Sequence, residues 1–409
     1  MSKRLLVVNV HYSPNSFGGA TVVAENVTRE LVAQHGWQAL VVTAVNQPGW
    51  PRYSLIRYRA KGVDVAAINV PMDELDYQES YDNPHFDAKF QKIVSAFRPD
   101  VAHVHCVQNI GANLIASLKK AAVPTAVTIH DCWWLCERQF MITSGGRYCH
   151  QTEIDEHVCI HCVVDPKAAA RRRSYLTDIL DQADLYLFPS EFHRQLHIAN
   201  GLPAEKCVVN KNGVKLPGPG FAKKPITDPD IRVRFGYVGG PGVVKGGPLI
   251  LLAFRDIATT NYELVVVDAA QNIGRSWQND DWRVPGKLRL APAYNAETID
   301  EFFSSIDVLL FPSQWKESFG LTVREALARD IWVIATDAGG VAEDCRDGID
   351  SNIIPMNGNP EPLKEAISAC IEKGNWAEYE NKNAGKLTTV VNQASALSTL
   401  LIAAKQKLK

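Results

Sequence analysis

The sequence predicts an α/β protein made of two doubly wound, mostly parallel sheets in series, one in each half of the chain. Three observations carry that expectation. Short runs of β-branched and aliphatic residues alternate with helix-length segments from the first residues onward, the grammar of βαβ units. The strand-like runs are apolar almost throughout instead of alternating, as expected of strands covered on both faces. The 409 residues, 46% hydrophobic and 22% charged, leave room for two or three domains of ordinary globular composition.

In chain order, the opening MSKRLLVVNV reads as a first strand, because Asn9 interrupts an apolar run too short for a secretory leader. The turn HYSPNSFGGA and a helix from about Ala20 lead to a second strand, WQALVVTAV. Further strands are expected at Asp100–Cys106, Thr125–His130 and Asp184–Pro189, with helices near Asn109–Ala121 and Pro166–Ala183. Asn212–Pro229 is rich in Gly, Pro and Lys without periodicity and reads as the interdomain linker. Strands resume at Val233–Val238, Tyr262–Asp268, Asp307–Pro312 and Trp332–Asp337, and a helix is expected near Pro360–Glu372. The expected domains are 1–211, with a Cys-rich insert at 131–165, and 212–374. A helical segment, 375–409, is basic at its end and expected to pack back on the first domain.

Lys+Arg of 43 against Asp+Glu of 45 give a formal charge of −2, which excludes a global field for wrapping nucleic acid or blanketing an anionic membrane. No stretch approaches the roughly 20 apolar residues of a membrane span. These features place the chain in the cytoplasm, with its nine Cys reduced or metal-bound.

In open α/β sheets ligands bind beyond the carboxyl ends of the strands, and the candidate motifs fall there. Gly18 and Gly19 follow the first strand and let the backbone approach a ligand at a helix start. GGPGVVKGG, with Lys245, follows the first strand of the second half and reads as a diphosphate cradle; it is not a P-loop, since no Ser or Thr follows the Lys. After DVLLFPSQW comes Glu317-Ser-Phe-Gly-Leu-Thr-Val-Arg-Glu325. Ser318 to Gly320 read as a helix entry, so Glu317 lies in the loop and Glu325 about two turns inside. The carboxylates can accept bonds from sugar or ribose hydroxyls, while the helix N–H groups can hold phosphate. Taken singly, each motif has a plainer reading as a turn or a solvated charge.

Together they match a family. The stretch DVLLFPSQWKESFGLTVREALARDIWVIATDAGGVAEDCRDG resembles the donor-site signature of the retaining glycosyltransferases of family four. The resemblance implies the GT-B fold, two facing Rossmann-like domains with an interdomain cleft, the first on the acceptor side and the second binding the donor. Glu317 and Glu325 match the family's E-x7-E motif, Gly18 and Gly19 its N-terminal loop, and Lys245 its phosphate-binding Lys. It further implies that Glu317 meets the donor sugar hydroxyls and Glu325 the ribose, with backbone contacts from Ser318, Phe319, Gly320 and Leu321. His130 matches the active-site His that faces the transferred sugar; Asp131 is the weaker candidate. The family's Arg five residues before the Lys is Gly240 here, leaving Arg324, Arg138 and Lys211 as candidates for the cation that replaces it.

Cys136, Cys149, Cys159 and Cys162 close on a C-x2-C pair and have the spacing of a tetrahedral zinc site, with Cys132 the spare and His150, His157 or His161 able to replace one thiol. Buried free thiols are a second reading, and a disulfide or an iron–sulfur cluster a third. The segment resembles an insert in a subset of these transferases. A zinc here would be structural, and no redox cofactor is expected. Arg171, Arg172 and Arg173 meet lipid phosphates or form a solvated helix face; Trp133 and Trp134 stack on an acceptor sugar or fill the core.

The resemblance thus implies a retaining transfer from a nucleotide-diphosphate sugar to a saccharide or lipid-linked saccharide. The setting expected is cell-surface polysaccharide, lipopolysaccharide or glycoconjugate synthesis, with peripheral contact at the inner face of the membrane and no nucleic acid partner. The reading from another class is a binding or scaffold protein of the same shape with impaired donor chemistry, motivated by Gly240.

Overall fold

The computed structural model describes residues 3–16, 18–277 and 282–406. Two compact units divide the chain: one holds the residues up to Met141, His150–Gly213 and the chain from Thr388, the other Ile142–Cys149 and Val214–Leu387.

The first unit contains, in order, β1 (Lys3–Val8), α1 (Gly18–His35), β2 (Trp37–Val45), β3 (Leu55–Ala60), β4 (Val63–Asn69), α2 (Pro84–Phe97), β5 (Val101–Val104), α3 (Leu114–Lys120) and β6 (Thr125–Thr128). It continues through α4 (Glu156–Cys159), α5 (Pro166–Leu180), β7 (Leu185–Phe188), α6 (Glu191–Ala199) and β8 (Cys207–Val209). The eight strands lie in the order β3-β4-β2-β1-β5-β6-β7-β8. All neighbours are parallel except β3 and β4. The continuous apolar strands have the expected cause: Leu6 and Val8 bury into one cluster while Leu5 and Val7 bury into another. Local chemistry fixes the helix starts. Asn83 Oδ1 accepts from Phe86 N at 2.9 Å with Pro84 in the first turn of α2, and Asp165 and Ser190 cap α5 and α6 in the same way.

The β3–β4 hairpin lies outside the expected strands. Lys61 and Gly62 both have positive φ, 49° and 85°, the conformation of a two-residue turn whose twist matches paired strands.

The second unit contains β9 (Val233–Tyr237), α7 (Gly247–Arg255), β10 (Tyr262–Val267), β11 (Lys287–Ala291), α8 (Ile299–Phe303), β12 (Val308–Phe311), α9 (Leu321–Leu327), β13 (Trp332–Thr336), β14 (Ser351–Ile354) and α10 (Glu361–Lys373). Its six strands run β11-β10-β9-β12-β13-β14, all parallel. Phe235 and Tyr237 bury on one face, Leu309 and Phe311 on the other. This unit runs past residue 374 because Trp376 packs on Trp332, ring centroids 5.7 Å apart, and Lys223 Nζ ties the linker to the carbonyls of Trp376 and Tyr379 at 2.5 and 2.9 Å.

The last helix, α11 (Val390–Gln406), belongs to the first unit. Ala394, Leu397 and Leu401 bury beside Val27 and Leu31 of α1, and Trp37 Nε1 donates to Ser398 Oγ at 3.0 Å. Gly213 lets the chain pass close by, since a Cβ there would lie 2.4 Å from Val390 Cα. Of the 375–409 segment expected to be helical, only α11 is a long helix, preceded by short 3-10 turns at Trp376–Glu378 and Ala384–Lys386. The basic end, 407–409, lies outside the described residues. Among the described residues no helix is long and apolar enough to cross a membrane.

Candidate active site

In the second unit the strand order reverses between β9 and β12, so the crevice expected of a doubly wound sheet opens at their carboxyl ends. Lys245 leaves β9 through a 3-10 turn, Val243–Lys245, and Glu317 leaves β12. Lys245 Nζ donates to Glu317 Oε1 at 2.6 Å, and Ser313 Oγ donates to the same oxygen at 2.9 Å. The ammonium also lies 5.0 Å from the Trp315 ring centroid.

The two loops are built onto each other. Gln314 N donates to Val244 O at 2.7 Å, and the buried Tyr237 hydroxyl donates to the carbonyls of Gly240 and Lys245 at 2.8 and 3.2 Å. Gly246 has φ +81°, and a Cβ there would fall 2.1 Å from Pro312 O, so this contact requires glycine. Glu317 is fixed through its backbone. Its N–H donates to Ala338 O at 3.1 Å, and its carbonyl accepts from Gly340 N at 2.9 Å.

The conformation of Gly240, φ +70°, is one that glycine adopts at little cost and arginine rarely does. That is a backbone reason for the missing Arg. Arg324, proposed from sequence as its replacement, is only 1% exposed and is consumed in structure. Nε bonds Asp344 at 2.8 Å, Nη1 the Phe319 carbonyl and Nη2 Gly340 O at 2.6 Å. Its guanidinium lies 4.0 Å from the Phe319 ring centroid, so Phe319 is a core side chain whose backbone alone is left for a ligand. Ser318 to Gly320 lead into α9, which starts at Leu321; its first N–H groups have no acceptor inside the helix.

Glu325 sits little more than one turn into α9, nearer the helix start than the sequence suggests. Tyr294 Oη donates to its Oε2 at 3.0 Å. Burial pushes the Glu325 carboxyl above the usual range, and the Tyr294 bond and Arg329 guanidinium oppose that. Tyr294 is itself held by Phe302, its ring stacked at 5.0 Å. Sequence reasoning missed Tyr294, which lies in a loop with no motif around it.

In the first unit the order reverses between β1 and β5. Asn9, fully buried, explains the polar break in the first strand. It accepts from Cys106 N at 3.0 Å and donates to His11 O at 2.6 Å and Thr21 Oγ1 at 3.2 Å, tying the ends of β1 and β5 to α1. Gly18 and Gly19 begin α1 and are exposed, with Gly18 at φ +76°.

His130 follows β6, partly exposed, and its Nε2 lies 2.9 Å from Nδ1 of the buried His105. Burial lowers its pKa to about 4 and that of His103 to about 3, so these rings are neutral near pH 7. His130 therefore works as a hydrogen-bonding group, not as a cation. Asp131 Oδ1 accepts from Trp133 N at 2.8 Å and Oδ2 from Gln139 Nε2 at 2.6 Å, and burial raises its carboxyl pKa; these bonds give it a loop-shaping role. Trp133 and Trp134 are 7% and 5% exposed and fill the core, which decides against stacking on an acceptor. Arg172 is likewise structural: it donates to Trp133 O at 2.9 Å with its guanidinium 4.7 Å from that ring. Arg173 bonds Ile154 O at 3.1 Å.

None of the nine cysteines is in a disulfide. Cys149 belongs to the second unit, Cys136, Cys159 and Cys162 to the first. Among the described residues no group of three or more His, Cys, Asp or Glu side chains is gathered so as to hold a metal ion. The side-chain bonds of Lys245, Glu317 and Glu325 described above involve no thiol.

Two family signatures cover most of the chain: residues 18–213 match the "Glycosyl transferase 4-like domain" and residues 223–387 the "Glycosyl transferases group 1". No curated protein matches the chain as a sequence. Among solved structures, sucrose-phosphate synthase from Thermosynechococcus elongatus aligns with a TM-score of 0.69 at 18% identity, over 98% of this chain and 100% of that one. HepE of Anabaena, crystallised with UDP and glucose, aligns at 0.64 and 16% identity, over 98% and 99%. The lipopolysaccharide outer core galactosyltransferase WaaB aligns at 0.60 and 14%, over 97% and 99%. At these identities the likeness establishes the fold, two Rossmann-like α/β domains of GT-B type.

Proposed function

Because the chain belongs to the GT-B glycosyltransferases that join a 4-like N-terminal domain to a group 1 C-terminal domain, we propose that it transfers a hexosyl or related sugar from a nucleotide-diphosphate donor to a hydroxyl, with retention of configuration. The observation that carries this reading is the 2.6 Å Lys245–Glu317 pair at the point where the second sheet reverses its strand order. An ammonium and a carboxylate held side by side, above a loop that Gly246 alone permits, suit a phosphate and the sugar it carries.

In this reading Lys245 and the first N–H groups of α7 and α9 stabilise the charge that develops on the leaving diphosphate. Glu317 orients the sugar hydroxyls, Glu325 holds the ribose through the oxygen Tyr294 does not occupy, and His130 offers a neutral ring to a sugar hydroxyl. Catalysis is then positioning and electrostatics without an enzyme nucleophile. The UDP and glucose held by the Anabaena protein support a UDP-sugar as the first donor to try. The WaaB likeness supports a saccharide acceptor of the cell surface. A structural zinc on Cys136, Cys149, Cys159 and Cys162, and with it membership of the cysteine-rich subset, rests on their spacing.

The test is to incubate the protein with UDP-, GDP- and ADP-sugars and a panel of saccharide and lipid-linked acceptors. Nucleotide release is followed first, and then the anomeric configuration of the product by proton NMR. The expected result is transfer from one nucleotide class with the donor's configuration kept. An inverted product would remove the retaining assignment; binding of donor without transfer to any acceptor would favour the scaffold reading.

A further inference from the structure

His103 and His105 point to one face of β5 and its exit, two residues apart, with ring centroids 4.0 Å from each other. His105 in turn meets His130: Nδ1 and Nε2 lie 2.9 Å apart, with 17° between the ring planes. Both rings are neutral near pH 7, so one proton lies on that line, and either ring can own it. The far nitrogen of His105 decides between them. Among the described residues His105 Nε2 is buried without a hydrogen-bond partner.

If His130 gave the proton, His105 would carry its own on Nε2, a buried donor with nothing to receive it. If His105 gives it, Nε2 is a bare acceptor. Orphaned buried N–H groups are the rarer and costlier of the two.

We propose that His105 is a positioning residue that donates from Nδ1 to His130 and so holds His130 as its Nδ1–H tautomer, a fixed N–H donor for a hydroxyl of the transferred sugar. The contact to the sugar rests on the proposed function; the tautomer does not. His103 backs the arrangement, its Nε2 2.7 Å from Thr128 Oγ1. His193 Nε2 donates to the Asp131 carbonyl at 3.2 Å, fixing the backbone that follows His130. Nδ1 of His130 makes no hydrogen bond among the described residues, which leaves it to a ligand.

The experiment uses the full chain with nitrogen-15-labelled histidine, read by long-range proton–nitrogen correlation, together with His105→Phe and His105→Asn. In the parent, His130 and His105 should each show the Nδ1–H pattern; an Nε2–H pattern at His130 overturns the proposal, whatever the variants do. In His105→Phe, which keeps a ring but no donor, His130 should lose its single tautomer. The kcat with a sugar-nucleotide donor should then fall by about tenfold or more, while the Kd for the free nucleoside diphosphate stays within about twofold. His105→Asn places an amide N–H near the old Nδ1 and should recover most of the kcat. Equal losses in both variants with the His130 tautomer unchanged would assign His105 to packing alone and overturn the proposal. A parent that transfers no sugar counts against the proposed function, and the spectra still decide the tautomer.

Discussion

Lys245→Met removes the ammonium while keeping most of the stem, and its cost follows from the geometry. A hydrogen bond to a charged partner contributes about 1.5–3 kcal/mol. The Lys245 side chain is 37% exposed, so solvent screens it and the lower figure applies, about 1.5 kcal/mol, or roughly tenfold in nucleotide diphosphate affinity. Glu317 suffers a second loss. Its carboxylate, 9% exposed, keeps the Ser313 hydroxyl but loses its cation, so a buried charge is left with one partner fewer and its hold on the sugar hydroxyls weakens as well. The assay is isothermal titration of UDP and a UDP-sugar into the parent, Lys245→Met, Glu317→Gln and the double variant. UDP should be affected chiefly by Lys245→Met and the sugar donor by both. The double variant should be non-additive, as expected of groups in contact. Affinities in Lys245→Met within about twofold of the parent for both ligands would refute the phosphate role.

Tyr294→Phe removes the bond that favours the charged form of Glu325, so the carboxyl pKa, already raised by burial, climbs further; nucleotide affinity measured from pH 8 to 5.5 should fall off at a higher pH than in the parent. His103, His130 and His197 have folded pKa values lowered by burial to about 3, 4 and 4, beneath the unfolded value of about 6.5. Their contribution to stability is therefore complete above pH 6.5 and lost as pH falls from there towards 4, so the melting temperature should decline through that window, and a flat profile contradicts the neutral cluster. Gly246→Ala should abolish nucleotide binding and lower the melting temperature, because φ +81° and a 2.1 Å approach to Pro312 O together exceed the roughly 1 kcal/mol of strain alone. Chelation should leave the UDP Kd unchanged even where metal analysis finds zinc on the cysteines, because the side-chain bonds of Lys245, Glu317 and Glu325 involve no thiol.

The inner strands of both sheets other than β4 were legible because each is buried on both faces and so reads as an unbroken apolar run. The edges were not. β3, β8, β11 and β14 terminate the two sheets, and β3 alternates exposed Leu55, Arg57 and Arg59 with half-buried Ile56 and Tyr58, which dilutes the signal. The Lys61-Gly62 pair was the clue to the β3–β4 hairpin. Lys245, Glu317, Glu325 and His130 could be singled out because they follow strands in a known motif order. What no motif marks is the support behind them: Ser313 and Tyr237 beside the loops of Lys245 and Glu317, Tyr294 behind Glu325, and His105 at the end of a strand read only as DVAHVHC. The burial of Arg324 could not be seen either, since a helix Arg in sequence looks the same whether it faces solvent or, as here, spans Phe319, Gly340 and Asp344.

In the proposed function the second unit holds a nucleotide-sugar donor between the Lys245–Glu317 pair and Glu325. A thermal-shift series with UDP, GDP, ADP and their sugar conjugates, on the parent and on Glu325→Ala, tests it most directly. A ligand bound only by the native state stabilises it by about 2.7 kcal/mol at a hundredfold excess over Kd. The expected result is a rise selective for one nucleotide, larger for its sugar conjugate and weakened in Glu325→Ala. No shift for any nucleotide at millimolar concentration, or the same shift in Glu325→Ala as in the parent, would contradict it.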